Sequence, residues 1–288
     1  MRLKIFTIIV CLLGFLTAVS ASGNDPILLG ARGIGLGRAY TGVNGDLWAM
    51  SYNPAGLTFL PSAQVGFYTE RRFGLKELSY GGLAFATPLK DRHYVGAEIG
   101  SFGFSSYREN KIGLTYATYF LDKLSIGTKI NVSNINIPDL GSSLAAWADI
   151  GINVKITPNI KFGASAYNVT QSKIRTQNGK QTIPTVLTAG ISYTPSDKIT
   201  IVADIQKDMT RPVSFRGGLE YKFYKGWCAR IGAGTQPTLF TFGFGWQYKE
   251  ILNIDFSSAI HQTLGYTPYL SMTYKFGKKA KIIEDSEE

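Results

Sequence analysis

The chain has 288 residues, 44% of them hydrophobic and 17% charged, with 32 glycines, 17 phenylalanines and 16 tyrosines. Its formal net charge is +10, two units of which come from Arg2 and Lys4, and no long basic run offers a nucleic-acid contact. Two cysteines (Cys11, Cys228) and two widely separated histidines (His93, His261) exclude a disulfide framework and a Cys/His metal site; with no CxxC, HExxH, GxSxG or GKS/GKT motif, neither an enzyme nor a cofactor is expected.

Residues 1–21 read as a secretory signal peptide. Arg2 and Lys4 form a basic start, Ile5–Val19 is almost wholly apolar, and small residues follow at Ala18, Ser20, Ala21 and Ser22. The apolar run is shorter than the roughly 20 residues a spanning helix needs.

Residues 22–62 come next. They hold Gly30-Ala-Arg-Gly-Ile-Gly-Leu-Gly-Arg-Ala-Tyr40, then Asp46-Leu-Trp-Ala-Met-Ser-Tyr-Asn-Pro-Ala-Gly-Leu57. Gly30, Gly33, Gly35 and Gly37 permit close backbone approach and positive φ. No strand–helix unit surrounds them, which sets aside a dinucleotide loop. Asp46 is placed to cap a short helical turn through Trp48. In Asn53-Pro54-Ala55-Gly56 the proline holds Asn53 out of the helical region, so the group reads as a turn or helix start. On these residues alone, the segment is either a linker or a plug.

From 63 to 276 the dominant period is two. Ile112, Leu114, Tyr116, Thr118 and Phe120 alternate with Gly113, Thr115, Ala117 and Tyr119, and Phe240–Tyr248 repeats the pattern. Strands are predicted at 64–71, 77–87, 93–102, 109–120, 124–133, 144–156, 159–169, 185–194, 198–206, 212–223, 226–234, 239–248, 251–260 and 267–276. The count, fourteen, is even, and most are about the 9–11 residues that a tilted membrane strand needs. With both termini in the periplasm, the turns on that side are short, and the longer connections, 134–143 and 170–184, fall on the other. Most even-numbered strands end in outward aromatics, including Phe120, Tyr193, Tyr221, Phe223, Trp246, Tyr248, Tyr274 and Phe276, as an interfacial girdle would; the second ends one step past Phe85 and the sixth ends in Ile156. The prediction is an all-β fold, a 14-stranded antiparallel transmembrane β-barrel in the outer membrane of a Gram-negative bacterium. The tail 277–288 reads as a disordered periplasmic end.

Positions facing the lumen carry Glu98, Asp149, Asp204, Glu220 and Asp255, and also Lys129, Lys155, Lys161, Arg216, Lys222, Arg230 and Lys275. Mixed signs suit an internal network in a filled lumen better than an ion-selective ring. The lumen is therefore expected to be largely occluded, and the segment 22–62, about 40 residues, is the object at hand to fill it.

The order of signal peptide, "GARGIGLGRAYTGV", "DLWAMSYNPAGL" and fourteen alternating strands resembles the FadL-like outer-membrane barrel superfamily, and within it most the PorV/PorQ-type proteins of Bacteroidetes-like bacteria. The resemblance implies a barrel closed by an N-terminal hatch. It implies either service in type IX secretion, as a component that binds protein partners of a secretion or surface complex, or FadL-like passage of a hydrophobic ligand. The first is the leading expectation here, motivated by short outer loops, a mixed-charge lumen and a charged periplasmic tail, although loops this short are also small for a cargo-binding crown. Membrane lipid and lipopolysaccharide are the other expected partners. Ile135, Ile137 and Leu140 are either an admission patch for an apolar ligand or a loop packed on its own rim. A general diffusion porin ranks last, because hatch and paired charges would block it.

Overall fold

The computed structural model describes residues 26–277 apart from 91, 121–122, 139–140, 177–178 and 262–263. The expected signal segment and the tail beyond residue 277 lie outside the described residues.

Fourteen strands close on themselves as an antiparallel barrel. They are β1 (Ala63–Arg71), β2 (Ser79–Pro88), β3 (His93–Phe104), β4 (Tyr107–Phe120), β5 (Leu124–Ile137), β6 (Gly141–Thr157) and β7 (Ile160–Tyr167), then β10 (Val186–Ser196), β11 (Ile199–Asp208), β12 (Ser214–Tyr224), β13 (Trp227–Thr235), β14 (Thr238–Tyr248), β15 (Leu252–His261) and β16 (Gly265–Phe276). Between β7 and β10 a separate two-stranded hairpin is made by β8 (Lys173–Thr176) and β9 (Gly179–Thr182). The seam closes by pairing β1 with β16, from Ala63 opposite Phe276 to Glu70 opposite Tyr269. Closure leaves the sheet no free edge, the condition for β-structure in lipid. Among the described residues no helix is long and apolar enough to cross a membrane.

The period of two sorts the side chains. Outward positions such as Ile112, Leu114, Ile130, Phe215, Ile231 and Phe240 form an exposed apolar band. Inward positions of the same strands are mostly small, polar or charged, with buried Tyr119, Ile135 and Leu239 as apolar or aromatic exceptions. The predicted aromatics gather on the outer face at one end, where β1 begins and β16 finishes, called here the terminal end. Trp246 packs on Trp227 at 6.0 Å and on Tyr248 at 5.6 Å, and Phe276 on Tyr274 at 6.2 Å.

Two connections at the opposite, loop end differ from expectation. The predicted loop 134–143 is mostly strand, because the alternation of Asn134, Ile135, Asn136 and Ile137 continues past the membrane-width limit and pairs with Gly141–Leu144. The predicted loop 170–184 contains the β8–β9 hairpin. Its Ile174, with Ile183, packs inward on Ile135, Ala145 and Trp147. Ile135 is thus buried inside the mouth and is not part of an exposed patch; Leu140 lies outside the described residues.

Residues 26–62 lie inside the barrel. The segment holds one short helix, α1 (Ala31–Gly35), and two 3-10 turns, Leu47–Ser51 and Pro54–Leu57. Leu29, Ile34, Leu36, Tyr40, Leu47, Met50, Leu57 and Leu60 are fully buried. Of the two readings left open, linker or plug, the structure has the plug. Among the described residues the largest apolar cluster sits between its side chains and β1–β4, extending to Leu239, Ala259 and Tyr269 on β14–β16.

Candidate functional site

The plug is held to the wall by matched small surfaces. Asn53 is wholly buried. Its Oδ1 accepts from the backbone N–H of Ala55 at 3.0 Å, which caps the Pro54–Leu57 turn, and Pro54 fills the first position of that turn. Its Nδ2 donates to the carbonyls of Thr41 in the plug and Ile152 in β6, each at 2.9 Å. One side chain therefore joins two plug segments to the barrel. Around it Gly127, Gly151 and Gly163, on three adjacent strands, face inward. Any side chain there would collide with Ala55, Asn53 or Thr41. Gly218 and Gly232 make a second such surface against Leu36 and Gly37.

The plug glycines have matching reasons. Gly30 has φ 94° and lies against Trp48, and Gly37 has φ 71° and lies against the backbone of Gly217 and Ala233. Gly33 makes room for Tyr52, Gly35 for Ser257, and Gly56 for Ala49 and the Val43 carbonyl. The backbone of α1 is tied by Ala31 N–H donating to Ser271 Oγ at 3.0 Å and Ser257 Oγ donating to the Ala31 carbonyl at 2.6 Å. Gly37 N–H donates to Thr241 Oγ1 at 3.0 Å.

Asp46 caps its turn, accepting from Trp48 N–H at 2.8 Å. It also accepts from Arg32 at 3.2 Å. Arg32 forms two bonds to Glu220, at 2.9 and 2.8 Å. Glu220 in turn pairs with Arg230 at 2.6 Å, and Arg230 with Asp255 at 2.7 Å. This alternating chain joins the plug to β12, β13 and β15. Asp204 accepts three bonds from the plug with one oxygen, from Tyr40 N–H, Thr41 N–H and Thr41 Oγ1, at 3.0, 3.1 and 2.7 Å. Arg216 stands opposite it in register, half-buried. Lys129 pairs with Glu98 at 2.6 Å. Asp149 accepts from Asn131 at 2.7 Å and from Asn168 N–H at 2.9 Å. Lys161 donates to Asn44 at 2.6 Å. Lys155 and Lys275 are half-buried near the terminal end, and Lys222 is exposed on that rim, outside the packed network. Burial pushes the Tyr40 and Tyr52 hydroxyls up, so both are neutral phenols.

Sequence reading missed three groups. Lys111, two places from the inward Gly113, is buried beside Glu98 and lies over Trp147 at 5.4 Å. Glu70 binds Tyr68 at 2.6 Å and Arg72 at 2.7 Å. The wall glycines stand two places from inward charges already identified: Gly127 from Lys129, Gly151 from Asp149, Gly163 from Lys161, Gly218 from Glu220 and Gly232 from Arg230. The same parity that located the charges would have located them.

The plug does not fill the lumen. Above it, toward the loop end, lies a cup of about 600 Å³. Its floor is plug, with Leu28, Met50 and Tyr52, and its apolar walls include Val186, Leu239 and Tyr269. Charged groups also line it, but they are engaged. Glu70 holds Arg72, Asp204 holds Thr41, Asp208 faces Arg211 at 3.6 Å, and Arg38 reaches the Tyr269 hydroxyl at 3.3 Å. Occlusion is thus confined to the plug layer, a correction to the expectation of a largely filled lumen.

No known family profile and no curated protein sequence matches this chain. Solved structures do. The monoaromatic hydrocarbon channel CymD is 15% identical with a TM-score of 0.65, over 88% of this chain and 98% of its own. The P. putida toluene transporter TodX is 13% identical with a TM-score of 0.67, over 88% and 99%. A Pseudomonas aeruginosa FadL homologue is 13% identical with a TM-score of 0.63, over 87% and 99%. At these identities the likeness establishes the fold, that of bacterial outer-membrane barrels of FadL type. The expectation of a PorV/PorQ-type secretion component is overturned. Those three barrels are hydrocarbon channels and a FadL homologue, and here the loop end encloses a cup of about 600 Å³.

Proposed function

We propose that the chain is a plugged outer-membrane channel for small hydrophobic molecules, with its termini in the periplasm and the cup facing outward. The observation that carries this is the cup. Its volume lies within the roughly 300–1,000 Å³ of small-molecule sites. Its charged groups are held by neighbouring side chains, and apolar and aromatic side chains, Val186, Leu239 and Tyr269 among them, share the open surface with neutral polar ones. The fold supports the reading, since CymD and TodX carry monoaromatic hydrocarbons and toluene on the same architecture. The orientation is supported by the short terminal-end turns and the aromatic girdle beside them. An apolar cargo gains by leaving water for the cup at about 25 cal/mol per Å² of surface buried, and the polar network of the plug stands below it.

The test is toluene uptake by cells whose lipopolysaccharide-bearing outer membrane contains the protein. Uptake rises with the wild type and falls when Val186→Trp or Leu239→Trp narrows the cup. Uptake no faster than in cells lacking the protein would refute the reading.

A further inference from the structure

The plug is held differently on its two flanks. Toward β5–β7 and β10–β16 it is held by hydrogen bonds to its backbone, by the Arg32 ion pairs and by Trp48 Nε1 donating to Thr273. Asn53 fastens the Thr41 segment to Ile152, Ser165 donates to the Tyr52 carbonyl at 3.0 Å, Asp204 takes the N–H groups of Tyr40 and Thr41, and Ser257, Ser271 and Thr241 fix α1 and Gly37. Toward β1–β4 it presents side chains. Leu47 and Trp48 lie over Gly66, and Met50 and Leu57 over Gly96. The wall there is made small by Ala84, Ala86 and Ala117, all buried in the same apolar cluster. Among the described residues the polar links across this flank are sparse: Ser51 to Glu98 at 3.3 Å, and the Tyr94 hydroxyl to the Phe59 backbone.

This apolar seam starts at the cup. Met50 lines the cup floor, and its sulfur is the nearest atom to the inward side of Gly96. Gly96 is the fourth residue of β3, so at about 3.3 Å per residue it stands roughly 10 Å from the terminal end. Below it come Leu57 and Ala117, then a closing layer of Tyr94, Tyr119 and Phe59. Phe59 stacks on Tyr119 at 4.8 Å, with Tyr94 6.3 Å from the same ring.

We propose that apolar cargo leaves the cup between Met50 and Gly96 and travels along this seam while the plug backbone stays docked. The proposal rests on the transport reading above. Methionine is unbranched, with three rotatable bonds, and fills irregular gaps adaptably. Swinging it aside breaks no hydrogen bond, whereas moving the plug off its other flank strands buried carbonyls, N–H groups and the Arg32 pairing. Below the Glu98–Ser51 contact and Thr115, an apolar molecule in the seam meets mainly apolar and aromatic neighbours. Met50 is then the residue that sets the size of what passes.

The experiment uses the full chain with Cys228→Ser, in bilayers whose outer leaflet is lipopolysaccharide, with toluene as the probe. A disulfide between Met50→Cys and Gly96→Cys closes the seam and lowers toluene flux about tenfold, because a packed interior has no parallel void for the probe; reduction restores it. A disulfide between Gly35→Cys and Ser257→Cys pins the opposite flank and leaves flux within about twofold of the reduced protein, since that contact is already closed in the packed plug. Two single variants, Met50→Ala and Met50→Trp, raise and lower flux respectively, and they serve if a cysteine pair fails to fold. Equal flux in the bridged and reduced seam, equal block by both bridges, or no dependence on residue 50 overturns the seam. Absence of toluene flux through the wild type overturns the transport reading itself.

Discussion

Asn53 shows how much one side chain can carry. It is buried, it caps a turn, and it satisfies two carbonyls belonging to different segments. Its substitution by alanine strands those carbonyls and uncaps the turn. At about 1–3 kcal/mol for each buried group left unsatisfied, plug docking weakens by roughly 2–4 kcal/mol. Limited proteolysis of the detergent-folded protein measures this: the Asn53→Ala plug is cleaved faster while the barrel remains intact. A plug as resistant as the wild type would contradict the role given to Asn53. Glu220 is the second residue of this kind, shared by Arg32 and Arg230. Glu220→Gln leaves two guanidinium groups short of their common carboxylate, and breaking a buried pair costs about 3–5 kcal/mol. The thermal unfolding midpoint falls, and no fall would contradict the network. These contacts were half legible in sequence. The inward charges and the capping pattern could be read from parity and spacing, but the plug partner of each charge could not, because no local pattern pairs Arg32 with a residue in β12.

At the scale of elements, the plug and the wall were shaped to each other by glycine. The glycines at 127, 151 and 163 form one flat surface only because β5, β6 and β7 are adjacent, a fact of closure and register and not of any one strand. Gly163→Val drives a branched side chain into Thr41 and Asn53 and expels the plug, which raises ion conductance in planar bilayers. Gly81→Val is the control: it lies on the outer face with open space around its Cβ position, and conductance stays low. Equal conductance in the two variants would contradict the fit. The strands themselves were legible because their period of two is enforced by lipid on one side and a polar lumen on the other. The loop-end excursions were not, since β5 and β6 keep alternating after the membrane requirement has ended, and the β8–β9 hairpin is held by Ile174 and Ile183 against Trp147, contacts distant in sequence.

The whole molecule combines a barrel packed at one level by its plug with a cup above it, which the proposed transport reading fills with apolar molecules. The strand count, the aromatic girdle and the mixed lumen charges pointed to a plug, but its depth in the barrel decides how much room is left above it, and depth follows from the wall contacts. That is why the cup, and with it the choice between transport and secretion, could not be read from the sequence. The account is tested most directly by measuring toluene influx and ion conductance together on the unmodified protein in a bilayer with a lipopolysaccharide outer leaflet. It predicts toluene influx well above that of the protein-free bilayer, saturating with concentration, with conductance near the baseline. Toluene influx equal to the protein-free bilayer, or influx that rises only when the conductance also rises, would contradict it.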